Sequence, residues 1–248
     1  YIIHSRTVSK EDRDLVASFG ERLSSWLVTG ALRDAGIKAA RIDSREIMVT
    51  DSNFGNAEVD VGKTKQNFSK KIMPLVRKGI VPVITGYIGQ DVNGNTTTLG
   101  RGGSDYSAAY IGAALGAREI KIWTDTSGML SADPRVVPEA RPVPRLSFAE
   151  ACELAYFGAK VLHPKTLLPA MERGIAVRIL NTARPDDPGS LITADAEAST
   201  EGWRVKSIAS KQGITAVTIA STRMLLAHGF LARVFEVFGR HHVVVDMV

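Results

Sequence analysis

Residues 98–109 combine side chains that suit the binding of a charged small molecule. They read Thr-Leu-Gly-Arg-Gly-Gly-Ser-Asp-Tyr-Ser-Ala-Ala, with three glycines around one arginine. Ser104 is a suitable N-cap for the alanine-rich helix expected next, and a helix N-terminus attracts anions through its unpaired N–H groups. The stretch lacks the Lys-Ser/Thr of a P-loop and the spacing of a dinucleotide fingerprint. It could be a flexible connector, a phosphate cradle or a pocket for a ligand that carries both charges.

Arg101 and Asp105 favour the last of these interpretations. An arginine can hold a carboxylate through two parallel hydrogen bonds, and an aspartate one helical turn away can hold an ammonium group. Opposite charges about 4 Å apart attract by roughly 4 kcal/mol at an effective dielectric constant of 20, so the two side chains could orient an amino acid. The alternative is that Arg101 and Asp105 pair with each other across the turn.

A second group of candidate residues follows in the segment 122–135. Thr124 and Asp125 come at the end of a predicted strand, where ligands bind in open α/β sheets. Arg135, in the loop that follows, and Lys160, further along the chain, could together neutralise a triphosphate. The alternative is that residues 133–135 form a turn whose charges face water.

Helix and strand patterns alternate between residues 9 and 193, which indicates a layered α/β domain. The continuous apolar run 79–86 is typical of a strand covered on both faces, and therefore of a parallel sheet. Further strands are predicted at 38–42, 46–50, 119–125 and 175–180. A capping box at Ser147–Glu150 predicts the start of a helix, and Pro164 the start of another.

The first helix is predicted to begin at Ser9, which has Asp12 three residues later. We expect an interruption at Gly20 and a restart at Glu21. One apolar face is predicted from 3.6-residue spacing, formed by Leu23, Trp26, Leu27 and Ala31. A further helix before Gly79 is expected to bury Phe68, Ile72, Leu75 and Val76, and Pro74 to kink it or begin a new turn.

A second, smaller module is predicted near the C-terminus. The proline- and aspartate-rich segment from 185 and the polar residues 195–202 are typical of a linker. Strands are then expected at 205–210 and 214–220, a helix at 229–240 and a strand at 242–248. Three strands and one helix are too few to bury a sheet face alone, so this module must pack against something else or against another copy of itself.

Composition excludes several classes of protein. The chain has 248 residues, 44% of them hydrophobic, and one cysteine, which excludes an internal disulfide framework and suits a cytoplasmic, reducing compartment. No run of about 18 apolar residues predicts a membrane span. The net charge of +5 comes from 31 basic residues spread along the chain. That distribution does not indicate a nucleic-acid-binding surface, although it allows anionic ligands.

Three motifs together resemble those of aspartate kinases, members of the amino-acid kinase family. They are the Arg-Gly-Gly-Ser-Asp loop, the Trp-Thr-Asp to Asp-Pro-Arg loop, and Phe-Gly-Ala-Lys-Val-Leu-His-Pro at 157–164, in the family's order and spacing. The resemblance implies a three-layer αβα sandwich around a mostly parallel sheet, spanning residues 1–194. It also implies a partial ACT-type α+β regulatory module at 203–248, and homodimers formed through ACT modules.

The implied reaction is transfer of the ATP γ-phosphoryl group to the side-chain carboxylate of L-aspartate. It needs positioning and charge neutralisation by Mg²⁺ and cationic groups, without a cluster of protein metal ligands. Since the acceptor carboxylate is ionised, His163 is not needed as a base, and Cys152 is expected to pack.

The resemblance also implies roles for individual residues. The acceptor site would comprise Glu21, Tyr87, Arg101, Gly102, Gly103 and Ser104, with Arg101 and Asp105 as catalytic residues. Taken alone, Glu21 would be an exposed residue at a helix start and Tyr87 a packing residue. The ATP site would comprise Thr124, Asp125, Leu130, Arg135, Lys160 and Val161. Leu130 stands where many relatives have tyrosine.

Residues 221–235 resemble the ACT segment of lysine-sensitive aspartate kinases. The implied effector is lysine, and the implied contacts are Met224, Gly229, Phe230, Leu231 and Asp246, with Asp246 on the effector's ammonium group. Taken alone, Met224 and Phe230 would be core residues and Gly229 a helix entry.

The sequence departs from the family at its start. No Lys-x-Gly-Gly-Ser/Thr loop, whose lysine contacts the transferred phosphoryl group in the family, is found. We therefore expect the 248-residue chain to be a fragment that is inactive alone. The alternatives are a catalytically inactive lysine-binding regulatory subunit, or another amino-acid kinase acting on glutamate or acetylglutamate.

Overall fold

The computed structural model describes residues 7–157, 162, 164–194, 205–210, 213–220, 228–241, 243 and 245. Its helices are α1 (Lys10–Asp34), α2 (Val61–Lys71), α3 (Met73–Arg77), α4 (Gly103–Leu115), α5 (Phe148–Phe157), α6 (Pro164–Glu172) and α7 (Phe230–Arg240). Its strands are β1 (Ala39–Ile42), β2 (Val81–Ile84), β3 (Ile88–Gln90), β4 (Thr96–Thr98), β5 (Glu119–Thr124), β6 (Arg145–Ser147), β7 (Ala176–Asn181) and β8 (Ser190–Thr193). The predicted alternation of helices and strands is confirmed.

Most strand pairs are parallel, as the sequence predicts. β1 pairs with β2, β5 with β7 and β6 with β8, all in parallel. The hairpin β3–β4 and the pair β7–β8 are antiparallel. The α/β class with a mostly parallel sheet is therefore confirmed. Within the described residues, however, the strands form two two-stranded sheets and one four-stranded sheet in the order β5-β7-β8-β6.

The main hydrophobic core lies between the four-stranded sheet and helices α4, α5 and α6. Ile122 of β5 and Ile179 of β7 alternate with outward residues and pack with Ala109, Ala151 and Leu167 from the three helices. Cys152 packs against this cluster, as predicted, and burial raises the pKa of its thiol. The thiol is therefore a packing group and not an activated nucleophile.

Helix α1 begins as predicted but does not break at Gly20. The Ser9 side chain accepts from the N–H of Asp12, and the Asp12 carboxylate accepts from the N–H of Ser9. The helix then continues to Asp34. One interior glycine costs roughly 1 kcal/mol relative to alanine and keeps its backbone N–H, so the neighbouring turns carry the helix through it.

The apolar face predicted for α1 is largely exposed. Leu23, Trp26 and Leu27 are 62%, 59% and 75% exposed. The fully buried residues are the polar side chains Asp14, Ser18, Ser25 and Thr29. Spacing identifies residues that share a helix face, but only the neighbouring elements decide which face is covered.

Three further expectations between residues 44 and 80 had different outcomes. The strand predicted at 46–50 is not formed: Ser44–Glu46 is a 3-10 turn, and Val49 and Thr50 make only isolated bridges. Pro74 begins α3 instead of kinking one long helix. Phe68 and Ile72 are buried as expected, whereas Val76 is 42% exposed.

The chain divides into two compact units, residues 1–211 and 212–248. Helix α7 forms where predicted, after Gly229 in the left-handed conformation. The strands predicted at 205–210 and 214–220 are not formed, because a strand exists only when its backbone pairs with another, and no ladder partner is present in the described residues. The predicted strand 242–248 lies largely outside those residues. The domain boundaries at 194 and 203, and the ACT assignment, stay predictions.

Among the described residues, no helix combines the length and the apolar character that a bilayer span requires.

Candidate functional site

A cavity of about 360 Å³ opens at the N-terminus of helix α4. Its volume lies in the range of small-molecule sites, roughly 300–1,000 Å³. Its lining residues are Gly55, Tyr87, Gly100, Arg101, Gly102, Gly103, Ser104 and Asp105. The structure thus brings Asp105 and five of the six predicted acceptor-site residues, all but Glu21, to one cavity, and adds Gly55 and Gly100.

The glycines of this loop allow a bend that ordinary residues resist. Gly100 and Gly102 have φ angles of 77° and 72°, in the left-handed region. Gly102, and not Ser104 as predicted, is the N-cap of α4, and no side chain caps the first turn. The N–H of Gly103 donates to the carbonyl of Gly100 (3.0 Å), and no side chain caps the rest of that turn, which favours an anionic ligand at its remaining N–H groups.

Arg101 and Asp105 do not pair with each other. The exposed Arg101 side chain makes no hydrogen bond or ion pair with any described residue. Asp105 is half-buried, and burial raises the pKa of its carboxyl group. Two opposite, unpaired charges on one cavity wall fit a ligand that has both a carboxylate and an ammonium group.

Tyr87 has a strained backbone at the cavity wall. Its φ angle is 67°, a positive value that is unusual for an aromatic residue. Its N–H donates to Ser107 Oγ (3.0 Å), and its carbonyl accepts from the N–H of Leu99 (2.9 Å). A Cβ at Gly103 would lie 2.8 Å from the Tyr87 ring, so only glycine fits there. Strain held in this way is common at binding sites.

Glu21 approaches the same loop from helix α1. It does not line the cavity, but its Oε1 accepts a hydrogen bond from Ser104 Oγ (3.3 Å). Its carboxylate therefore contacts the predicted acceptor pocket only through Ser104, which lines the cavity.

The predicted nucleotide loop begins where β5 ends. Thr124 Oγ1 donates to Asp125 Oδ1 (3.1 Å), and the Asp125 side chain is exposed. The buried hydroxyl of Thr126 has no hydrogen-bond partner among the residues that the structure describes. Ser127 Oγ donates to Asp187 Oδ2 (2.6 Å) and accepts from Asn181 Nδ2 (3.0 Å). The 181–187 segment thus positions the loop, a contribution that the sequence analysis missed.

Other predicted nucleotide residues are placed differently. Arg135 is exposed and donates from Nε to Asp133 Oδ1 (2.9 Å), which raises the pKa of the arginine. This is the turn geometry considered as an alternative above. Leu130 is half-buried, and its carbonyl accepts from Ser207 Oγ (2.8 Å). Lys160 and Val161 lie outside the described residues, as does His163.

The predicted effector residues are only partly described. Phe230 is half-buried and Leu231 is 59% exposed, both in the first turn of α7 after Gly229. Met224 and Asp246 lie outside the described residues.

A second cavity, of about 570 Å³, lies between helices α2, α4 and α6. Tyr106 and Tyr110 form one of its walls, with ring centroids 6.5 Å apart. Tyr110 donates to the carbonyl of Val61 (3.0 Å), and burial raises its pKa to about 12. None of the predicted site residues lines this cavity, so the first cavity is the candidate site.

Comparison with known proteins identifies the family. The family model described as "Amino acid kinase family" matches residues 2–181. Lysine-sensitive aspartokinase 3 of Escherichia coli (strain K12) is 40% identical over 235 residues, which is 95% of this chain and 51% of that protein. Chloroplastic aspartokinase 3 of Arabidopsis thaliana is 42% identical over 98% of this chain and 44% of its own length.

Solved structures agree with these relatives. Aspartokinase III of E. coli in complex with aspartate and ADP (R-state) superposes with a TM-score of 0.77 at 34% identity, over 96% of this chain and 53% of that one. The same enzyme in complex with lysine and aspartate (T-state) gives 0.72 at 36% identity, over the same shares. The chain spans about half the length of the relatives it matches. Since the family model covers most of the chain, this protein belongs to the amino acid kinase family.

Proposed function

We propose that this protein transfers the γ-phosphoryl group of ATP to the side-chain carboxylate of L-aspartate, which gives 4-phospho-L-aspartate. The observation that carries the proposal is the cavity at the mouth of α4, where Arg101 and Asp105 present unpaired opposite charges. The similarity to aspartokinase III, solved in complex with aspartate and ADP, supports the same assignment.

Binding of the amino acid follows from the charges around the cavity. Arg101 would hold one carboxylate through two parallel hydrogen bonds, and Asp105 would hold the ammonium group. The open first turn of α4 adds backbone N–H groups for a carboxylate oxygen. Glu21, bonded to Ser104, adds negative charge on the ammonium side. Glycine at 102 and 103 lets the ligand approach the backbone closely.

The nucleotide is proposed to bind at the end of β5, at Thr124, Asp125, Leu130, Arg135, Lys160 and Val161. The orphaned hydroxyl of Thr126 supports a polar ligand beside this loop, because a buried hydroxyl without a partner is costly. Arg135 must leave Asp133 to reach a phosphate. That ion pair is exposed and stabilises the protein by at most about 1 kcal/mol, so breaking it to bind a phosphate costs little free energy.

Mg²⁺ suits this site through one carboxylate and the nucleotide's own phosphates. The described residues contain no group of three or more His, Cys, Asp or Glu that could hold a metal alone. Asp125, exposed at the strand end, is the carboxylate that would hold the ion, which neutralises phosphate charge when bound. The acceptor carboxylate is ionised at neutral pH, so the protein needs to position it and does not need to deprotonate it.

We also infer feedback inhibition by lysine. The support is the 40% identity to a lysine-sensitive aspartokinase, and the proposed contacts are Met224, Gly229, Phe230, Leu231 and Asp246. The exposed apolar residues of α7, Leu231 and Phe235 among them, suit a homodimer formed through ACT-type modules. The single cysteine supports a cytoplasmic, reducing location. The proposed reaction would belong to the pathway to lysine, threonine and methionine.

The effector assignment is tested by isothermal titration of the full-length protein with lysine and with threonine. Lysine is expected to bind, and binding of threonine alone would refute the assignment.

The catalytic proposal is tested with Arg101→Ala in the full-length protein, with the exposed Arg77→Ala as the matched control. Loss of a bidentate, charge-assisted contact is expected to raise the KM for aspartate roughly 10- to 100-fold, while the KM for ATP changes less than about twofold. The measurement is ADP release at varied aspartate and varied ATP. Loss of ATP binding with intact aspartate affinity would mean that the two sites are reversed. Equal rates with glutamate as acceptor would indicate another amino-acid kinase.

A further inference from the structure

We propose that Asp14 is a positioning residue for the acceptor pocket: its buried carboxylate fixes the two backbone segments that form the pocket's walls. The proposal rests on the proposed function and adds to it a residue that does not itself touch the ligand.

Asp14 lies in helix α1 and is only 3% exposed. Its Oδ2 accepts from the N–H of Thr98 (2.8 Å) and from the N–H of Gly55 (2.9 Å). Its Oδ1 accepts from Thr98 Oγ1 (2.9 Å). No ion pair to Asp14 is found among the described residues, so N–H and O–H donors alone stabilise this buried charge.

The two segments that Asp14 joins are those that enclose the pocket. Gly55 lines it directly, and Thr98 ends β4 two residues before the Gly100–Asp105 wall. The segments also contact each other, since the N–H of Ala57 donates to the carbonyl of Thr98 (2.9 Å). A Cβ at Gly100 would lie 2.6 Å from Asn56 Oδ1, so the approach is close.

Helix α1 holds the far end of the same loop as well. Glu21 follows Asp14 by seven residues, which is two helical turns and therefore the same face. It accepts from Ser104 Oγ. The loop is thus attached to α1 at Thr98 and again at Ser104. Arg101 lies between these attachments, and its side chain has no partner in the described part of the chain, so its position depends on them.

A carboxylate suits this position because three donors converge on two oxygens. Asparagine could keep most of the arrangement: its oxygen can accept both N–H groups, and its amide can donate to the Thr98 hydroxyl, which can also accept. Alanine would leave the N–H groups of Gly55 and of the buried Thr98 without this acceptor, and would release both segments. A shift of about 1 Å in a binding group can cost as much as 100-fold in rate.

The test compares Asp14→Ala, Asp14→Asn and the control Asp91→Ala in the full-length protein. Asp91 is 4% exposed and accepts from Ser52, Asn93 and Asn95, none of which lines the pocket. We expect Asp14→Ala to raise the KM for aspartate at least tenfold, with the KM for ATP within twofold of wild type. Asp14→Asn should restore the KM for aspartate to within a few-fold of the wild-type value. Asp91→Ala should lower thermal stability without raising the KM for aspartate.

The proposal is overturned if folded Asp14→Ala keeps a wild-type KM for aspartate, or if the KM for ATP rises equally. It is also overturned if Asp91→Ala raises the aspartate KM as much. If Asp14→Ala does not fold, Thr98→Val decides: it removes only the hydroxyl bond to Oδ1, and an unchanged aspartate KM would refute the role. A wild-type protein that does not phosphorylate aspartate would instead refute the proposed function.

Discussion

Asp105 carries a charge that no described residue compensates through an ion pair. It is half-buried, makes no ion pair with a described residue, and has a pKa raised by burial. The folded protein therefore binds the proton of Asp105 more tightly than the unfolded chain does. The ionised carboxylate destabilises the fold, fully so above the folded-state pKa, and this penalty disappears as pH falls below the unfolded-state pKa near 4. Binding of an ammonium group would remove the same penalty.

Asp105→Asn is expected to separate stability from function. The uncharged variant should melt a few degrees higher than wild type at neutral pH, because it has no buried charge to desolvate. The difference should shrink as pH falls from about 8 to about 4, while the KM for aspartate rises at all pH values. Thermal unfolding across this range and steady-state kinetics measure both effects. A lower melting temperature at neutral pH would show that Asp105 is already paired in the folded protein.

At the scale of elements, the loop after β5 depends on a close approach to β8. Gly128 has a φ angle of 117°, and a Cβ there would clash with Ser190 Oγ and lie 2.8 Å from the Ser190 nitrogen. Ser190 Oγ accepts from the N–H of Met129 (2.9 Å) and donates to the carbonyl of Val143 (2.6 Å). The loop that carries Asp125 is therefore fixed to the sheet just beyond Gly128.

Gly128→Ala is expected to destabilise the protein by about 2–4 kcal/mol and to raise the KM for ATP more than that for aspartate, because both strain and a clash displace the loop. Gly116→Ala is the matched control: its φ angle is 63°, with no atom within 4 Å of the added Cβ. Gly116→Ala should lower the free energy of unfolding by only about 1–2 kcal/mol, from backbone strain alone. Denaturant unfolding of the two variants provides the comparison, and equal losses would contradict a specific contact with Ser190.

At the scale of the whole molecule, the two compact units differ in how much they bury. The unit 1–211 contains the core of β5, β7 and α4–α6. Helix α7 of the unit 212–248 has eleven residues and no buried side chain. Isolated helices of this length are marginal in water without tertiary packing.

Hydrogen exchange of the 248-residue chain should report this difference. Amides of β5, β7 and α4 are expected to exchange with protection that approaches global stability, and those of α7 much faster, through local opening. Mass spectrometry of peptides that cover 119–124, 176–181 and 230–240 measures the contrast. Slow exchange in α7 comparable to that in β7 would show that the second unit is covered in solution.

Much of this architecture could be predicted from local chemistry. The capping boxes at Ser9 and Ser147 are built from side chains within three residues of each other, so they are visible in sequence. The glycine bend before α4 is equally local, and so is the parallel strand in the apolar run 79–86. That strand covers only Val81–Ile84 and has no buried residue, so the expected cover on both faces is wrong. Strands β6 and β8, three and four residues long, were not predicted, because so short a strand depends on its neighbour more than on its own pattern.

The sequence by itself determined the α/β class, the bend that presents Arg101, and the residue types of the candidate site, because backbone conformation and charge depend on adjacent residues. Only the tertiary structure decided which face of α1 is buried, that Arg101 and Asp105 remain unpaired, and that Asp14 bonds to Gly55 and Thr98. Asp14 lies 41 positions from Gly55 and 84 positions from Thr98 along the chain. Contacts at such separations depend on how elements pack, which no local pattern records.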